Sequence, residues 1–162
     1  MGEKQVRWNR AQRKDTGDYW ARQRSGSSVS ADCVLTSAIV GLIVARLAKG
    51  LGMNIHGLDP YANPSAISAL NINLMPSLTA LLPTVDFLTI HTPLIASTKG
   101  MISTAELAQM KIGSRIFNVA RGGTIDETAL LHALESGHIA GAGIDVFTSG
   151  KADFCPATNS GH

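Results

Sequence analysis

From residue 31 onward, short apolar runs alternate with stretches of helical periodicity, and this alternation constrains the fold more than any other feature. The strand-like runs are Ala31–Leu35, Met53–His56, Asn71–Leu74, Phe87–Ile90, Arg115–Val119 and Gly143–Val146. Between them, residues 39 to 51 place Val40, Ile43, Val44 and Leu47 at the i, i+3, i+4, i+7 spacing of one helix face. Ser103-Thr-Ala-Glu106 is a capping box, in which serine and glutamate satisfy two orphan amides reciprocally, and it predicts a helix through Gln109. A third helical pattern starts at Asp126, carries Leu130, Ala133 and Leu134 on one side and stops at Gly137. Single-faced helices alternating with apolar strands predict an α/β domain: a doubly wound parallel sheet covered on both sides, with ligands at the carboxyl ends of its strands.

The 162 residues suffice for one complete domain and not for two. Cys33 and Cys155 lie far apart and have no histidines at ligand spacing, so neither a disulfide framework nor a metal site is expected, and a reducing, cytoplasmic setting is the simpler reading. The net charge of +2 conceals an asymmetry. Residues 1–30 carry seven Lys/Arg against Glu3, Asp15 and Asp18, whereas the rest of the chain carries seven basic against nine acidic residues. A mildly acidic body is a poor partner for nucleic acid. The basic segment, which ends in Ser25-Gly-Ser-Ser28, is expected to be a solvated tail, with a binding arm as the alternative. The uncharged run Cys33 to Ala45 is thirteen residues, short of the roughly 20 that span a bilayer. The charged segment before it is too long for a secretory leader, and its acidic residues count against a mitochondrial one. The expected organisation is a tail over 1–30, a domain over 31–150 and an irregular end over 151–162.

Several strand ends are polar. The second strand runs into Gly57-Leu-Asp59-Pro60, 18 residues after Gly41. In a dinucleotide fold an acid there binds ribose hydroxyls and repels a 2′-phosphate; an Asp before Pro is also a common turn former. The preceding turn departs from the glycine-rich fingerprint: Thr36-Ser-Ala38-Ile39-Val40-Gly41 keeps only the third glycine. Thr36 resists a positive φ and Ala38 puts a methyl toward the phosphates, so weakened cofactor binding is expected, although the Ile39 and Val40 amides at a helix start remain able to bind an anion. Two more strands lead into His91-Thr92-Pro93 and into Ala120-Arg121-Gly-Gly123. A lone histidine is commonly structural. An arginine followed by two glycines is suited to bidentate capture of a carboxylate.

Three ordered segments, Asp86 to Leu94, Asn118 to Glu127 and Gly141 to Phe147, resemble the cofactor-binding domain of the D-isomer-specific 2-hydroxyacid dehydrogenases, and within that family the phosphoglycerate-oxidising branch of serine biosynthesis. The resemblance spans about residues 40–149. It implies a Rossmann-like NAD-binding domain of an oxidoreductase. The Ile39 and Val40 amides would meet the pyrophosphate beside Gly41, and Asp59 would hold the ribose. His91, Thr92, Pro93 and the backbone of Val119, Ala120 and Arg121 would line the cleft, and Asp145 would bind the nicotinamide carboxamide. Arg121 would hold and polarise a 2-oxo acid.

The departures from the family pattern also carry an expectation. The glutamate that orients the family's catalytic histidine is replaced by Gly150, the proline after it by Lys151, and His162 comes too early to stand in for the histidine. The missing acid/base is worth about 10²–10⁴ in rate, and the substrate domain is expected to be missing as well. The chain is therefore expected to bind NAD and to complete no reaction alone. The alternatives are a non-catalytic module that holds NAD or pairs as a homodimer or with a full-length subunit, and a truncated product without function.

Overall fold

A computed structural model of the chain describes residues 39–148. The expected strand Ala31–Leu35, the turn residues Thr36 and Ala38, the segments 1–30 and 151–162, both cysteines and Gly150 lie outside the described residues.

The elements follow in the order α1 (Val40–Gly50), β1 (His56–Gly57), α2 (Pro64–Leu70), β2 (Asn73–Leu74), α3 (Leu78–Leu81), a 3₁₀ turn (Leu82–Thr84), β3 (Phe87–Ile90), α4 (Thr104–Gln109), β4 (Ser114–Asn118), α5 (Glu127–Glu135) and β5 (Ile139–Ile144). All pairings are parallel: β1 with β2, and β3-β4-β5 with β4 in the middle. Each parallel step is a crossover through a helix, as the alternation in the sequence requires.

The local starts and stops have visible causes. Ser103 caps α4 and accepts from the Ala105 amide, while the Glu106 carboxylate receives both the Ser103 amide and its hydroxyl. Those bonds hold the Glu106 carboxyl below its ordinary range. Asp126 caps α5 through the Ala129 amide, and Gly137, at φ 75°, ends it. Two helices go beyond the sequence expectation. The Asn63 side chain accepts from Ser65 N and Pro64 sits at the first position of α2, and Ser77 caps α3 through Ala80 N.

Four strand boundaries differ from expectation. Met53 donates back to the Ala48 carbonyl to close the end of α1, which delays β1 to His56. Asn71 is the left-handed cap of α2, at φ 54°, and Ile72 N still bonds to Ile67 O, so β2 begins at Asn73. β4 runs over Ser114–Asn118 and stops before Val119, because the Asn118 side chain turns the chain there. The last strand runs over Ile139–Ile144 instead of 143–146, since its small residues lie flat beside the whole of β4.

The core lies on one face of the three-stranded sheet, where Leu81, Leu82, Leu107 and Leu130 pack on Leu88, Ile90, Ile116 and Ile139. A smaller cluster joins Ala45 and Ala48 of α1 to Ile55 and Ile72. Here the expected helix face is corrected. The buried positions of α1 are Gly41, Ala45 and Ala48, whose small side chains let the helix approach the strands closely, and Val40, Ile43 and Leu47 are left exposed. On the opposite face of the three-stranded sheet, Phe87 and Phe117 stack with centroids 6.4 Å apart, and Arg115 lies over Phe87.

Candidate functional site

Because β3, β4 and β5 are parallel, the residues that follow them come out at one edge of their sheet, and the residues that follow β1 meet that edge across a shared cleft. A cleft of about 650 Å³ opens there between the end of β1 and the end of β3. Asp59, Pro60 and Tyr61 form one wall, Thr92, Pro93, Ile95 and Thr98 the other, and Leu88, Ile90 and Ile102 supply the apolar floor. Of the residues expected from sequence, Asp59, Thr92 and Pro93 line this cleft, and the others do not.

Asp59 is half-buried. Its Oδ1 accepts from Tyr61 N at 2.8 Å and its carbonyl from Ala62 N, so one carboxylate oxygen holds the turn and the other makes no bond among the described residues. On the facing wall the Thr98 hydroxyl donates to Pro93 O at 2.6 Å and accepts from Ile95 N, which ties the loop after Thr92 into a fixed arc. Thr92 Oγ1 is buried and has no hydrogen-bond partner among the described residues. Leaving such a group unsatisfied costs about 1–3 kcal/mol, so a hydroxyl kept there, in an otherwise apolar cleft, fits a polar ligand atom.

His91 stands beside the cleft, half-buried, with Nε2 3.0 Å from the Thr89 hydroxyl. Burial lowers its pKa from the ordinary 6.5, because the interior disfavours the charged ring. Above the unfolded value the contribution to stability is complete. It is lost as the pH falls through 6.5 toward the lower folded value, where the unfolded chain binds the extra proton. The melting temperature should therefore drop between about pH 7.5 and about pH 5.5, and His91→Gln should flatten that slope. An unchanged slope in the variant assigns the drop to other groups.

A second group of expected residues gathers at the ends of β4 and β5. Val119 and Arg121 are exposed and Ala120 is buried. The Arg121 guanidinium folds back so that Nη1 donates to Ala120 O at 2.7 Å. Asp145 follows β5, exposed, with its amide donating to Asn118 O at 3.0 Å. Gly122 lies so close to Phe147 that a Cβ there would be 2.3 Å from its carbonyl oxygen. The Thr148 amide and hydroxyl both bond to Glu127 Oε1, at 2.7 and 2.8 Å. At the start of α1, Ile39 and Val40 are exposed, no side chain caps the helix, and the buried Gly41 lets it sit against the sheet.

Sequence reasoning missed three residues that shape this edge: Asn118, Thr98 and Glu127. A buried polar residue at a strand end, as Asn118 is, was the one available signal. The Glu127 and Thr98 bonds depend on loop paths that no local pattern encodes.

Parallel strands with helical crossovers, an acidic side chain beyond one strand end and an apolar cleft between that end and the end of β3 define a dinucleotide-binding domain. The comparisons make this specific. The model of the NAD binding domain of the D-isomer specific 2-hydroxyacid dehydrogenases matches residues 3–158, and the chain belongs to that family. That match extends beyond both ends of the stretch that carries the three motifs. The chain is 49% identical over 115 residues, 71% of its length, to a chloroplastic D-3-phosphoglycerate dehydrogenase of Arabidopsis thaliana, and 42% identical over 108 residues to the D-3-phosphoglycerate dehydrogenase of Bacillus subtilis. It spans about a fifth of the length of these relatives, 19% and 20%. Among solved structures it superposes with a TM-score of 0.71 and 28% identity on the NAD-complexed D-isomer specific 2-hydroxyacid dehydrogenase of Lactobacillus delbrueckii, covering 85% of this chain and 42% of that one. No helix among the described residues is long and apolar enough to cross a membrane.

Proposed function

We propose that this chain holds NAD across the carboxyl edge of its sheet, as the cofactor-binding part of a phosphoglycerate dehydrogenase-like oxidoreductase. The observation that carries the reading is the cleft itself: an Asp59 carboxylate with one oxygen engaged by the turn, across apolar walls from a buried Thr92 hydroxyl, the second oxygen and that hydroxyl both without a partner among the described residues. In this reading Asp59 accepts from the adenosine ribose, the Ile39 and Val40 amides face the pyrophosphate, and Thr92 and Pro93 border the nucleotide beside His91. The backbone of Val119 to Arg121 lines the nicotinamide end, where Asp145 holds the carboxamide. The bound nicotinamide supplies hydride exchange at C2 of a 2-hydroxy or 2-oxo acid. Arg121 contributes a permanently charged planar fork whose remaining N–H groups hold the acid's carboxylate.

Titrating NADH into the purified chain and following nicotinamide fluorescence should give saturable binding. Adding 3-phosphohydroxypyruvate should leave the NADH unoxidised, since Gly150 stands where the family has its orienting glutamate. A flat titration up to millimolar NADH would remove the reading; steady oxidation would remove its inactive half. A cytoplasmic location belongs to the same reading, supported by the two isolated cysteines.

One observation favours a second role alongside the first. Ile39, Ile43, Leu47 and Leu51, at intervals of four residues along α1 and its two caps, are 75%, 48%, 63% and 83% exposed. An apolar stripe of this kind suits pairing with a second copy or a longer subunit. Leu47→Glu should then lower the sedimentation-derived mass, and an identical mass for both forms argues against a role for this stripe.

A further inference from the structure

We infer that Asn118 is a positioning residue, setting the Arg121 loop rigidly against the end of the sheet and holding Asp145 in register with it. The inference rests on the reading of Arg121 as the group that holds a 2-oxo acid. Asn118 ends the central strand β4 and is 2% exposed, an unusual place for an amide unless every polar atom is used. Its Oδ1 accepts from Ala120 N at 3.2 Å. The two hydrogens on Nδ2 go to Arg121 O and to Thr124 Oγ1, each at 3.0 Å. The Thr124 hydroxyl in turn donates to the same Arg121 carbonyl at 3.0 Å. Nδ2, Thr124 Oγ1 and Arg121 O thus form a closed triangle in a site where Thr124 is 0% exposed.

An amide is one rigid plane with an acceptor at one corner and donors at another. Fixing Ala120 N with the first and Arg121 O with the second leaves the backbone between them no freedom to turn. The Arg121 side chain is therefore launched from a fixed point, although the residue itself is exposed. The Asn118 carbonyl accepts from the Asp145 amide on the neighbouring strand end. One residue thus joins the two groups assigned to the acid and to the nicotinamide, the first through its side chain and the second through its backbone. That division gives the test its discriminating power. Changing the side chain should disturb Arg121 and spare Asp145.

Asn118→Asp keeps shape and keeps the acceptor for Ala120 N, but presents an unprotonated oxygen to the Arg121 carbonyl. At about pH 7.5 it should weaken binding of oxamate, used as a non-reacting 2-oxo acid on the NADH-loaded chain, about tenfold, which is the loss of one such hydrogen bond. NADH affinity should fall clearly less than oxamate affinity, because the Ala120–Arg121 backbone that borders the nicotinamide loosens while the backbone bond that holds Asp145 survives the change. Lowering the pH should restore oxamate binding in the variant as the introduced carboxyl gains a proton and donates to Arg121 O. In the NMR spectrum the Arg121 Nε–Hε and Ala120 amide signals should shift and the Asp145 amide should stay.

If Asn118→Asp fails to fold, Thr124→Val opens the same triangle with a neutral side chain and should give the same split, while Thr124→Ser should not. Equal losses for NADH and oxamate, or unmoved Arg121 signals, overturn the positioning role. Arg121→Lys separates the two levels. If it weakens oxamate and Asn118→Asp does not, the positioning role alone is wrong. If Arg121→Lys has no effect, or the native chain takes up no oxamate, the reading of Arg121 fails and the inference falls with it.

Discussion

Gly122→Ala is expected to destabilise the chain by about 1–3 kcal/mol and to lower NADH affinity at least about tenfold, because it overpacks a contact made entirely of backbone. The added Cβ would lie 2.3 Å from Phe147 O, 2.5 Å from Phe147 C and 2.9 Å from Thr148 N. None of those atoms can rotate aside as a side chain would. The 147–148 segment cannot simply retreat either, since Thr148 N and Oγ1 are bound to Glu127 Oε1, and Gly123, at φ 83°, gives its carbonyl to Gly100 N at 2.8 Å. The methyl must break one of these anchorages and separate the Arg121 loop from the Asp145 strand end. Gly50→Ala is the matched control. Nothing lies within 4 Å of a Cβ there, and the position is helical, so alanine should be neutral or stabilising by up to about 1 kcal/mol. Urea unfolding and NADH titration of both variants decide the matter. Gly122→Ala within about 0.5 kcal/mol of the native chain would mean that the loop yields more easily than its bonds imply.

The order of elements was legible because two periodicities were clean. β4 buries Ser114, Ile116 and Asn118 and turns Arg115 and Phe117 to the other side, the alternation a half-buried strand must have. The capping box at Ser103 and the acidic start at Asp126 marked α4 and α5 where they are. What failed, failed for physical reasons. Periodicity found a face on α1 but could not say which face is buried, because the sheet selected the small residues Gly41, Ala45 and Ala48 over the larger Val40, Ile43 and Leu47. Packing two elements closely rewards small side chains, and a hydrophobicity count does not see that. β5 was placed too late because Ala140, Gly141, Ala142 and Gly143 carry no strand propensity; their value is flatness, since a Cβ at position 143 would meet the Phe117 ring at 2.7 Å.

At the site, the parallel register of β3, β4 and β5 explains why Thr92, Arg121 and Asp145 share one edge, and the cleft between the ends of β1 and β3 brings Asp59, up to 86 residues away in sequence, to it. Strand ends near these residues could be read from the sequence to within two residues, and so could their polar residues apart from Asn118. The distribution of those residues between the Asp59–Thr92 cleft and the Arg121–Asp145 group could not, because it depends on which neighbours each loop packs against.

Asp59→Asn should separate the two roles that the sequence left open for this residue. As a turn former, Asp59 needs only Oδ1, which accepts from Tyr61 N at 2.8 Å, and asparagine supplies the same atom in the same place. As a ribose holder it needs the second oxygen and the negative charge, and asparagine removes both. A charge-assisted hydrogen bond contributes about 1.5–3 kcal/mol, so NADH affinity should fall about 10- to 100-fold while the melting temperature stays within a degree or so. NADPH should respond in the opposite sense. Its 2′-phosphate meets a like charge in the native cleft and none in the variant, so the NADH-to-NADPH affinity ratio should shrink by more than the NADH loss alone. Unchanged NADH affinity with an unchanged ratio would leave Asp59 as a turn former and move the cofactor's adenosine end elsewhere. A parallel fall in stability and in both affinities would show that the carboxylate supports the wall as a whole. Only the first pattern, with stability intact and the ratio shifted, requires a ribose seated between Asp59 and Thr92.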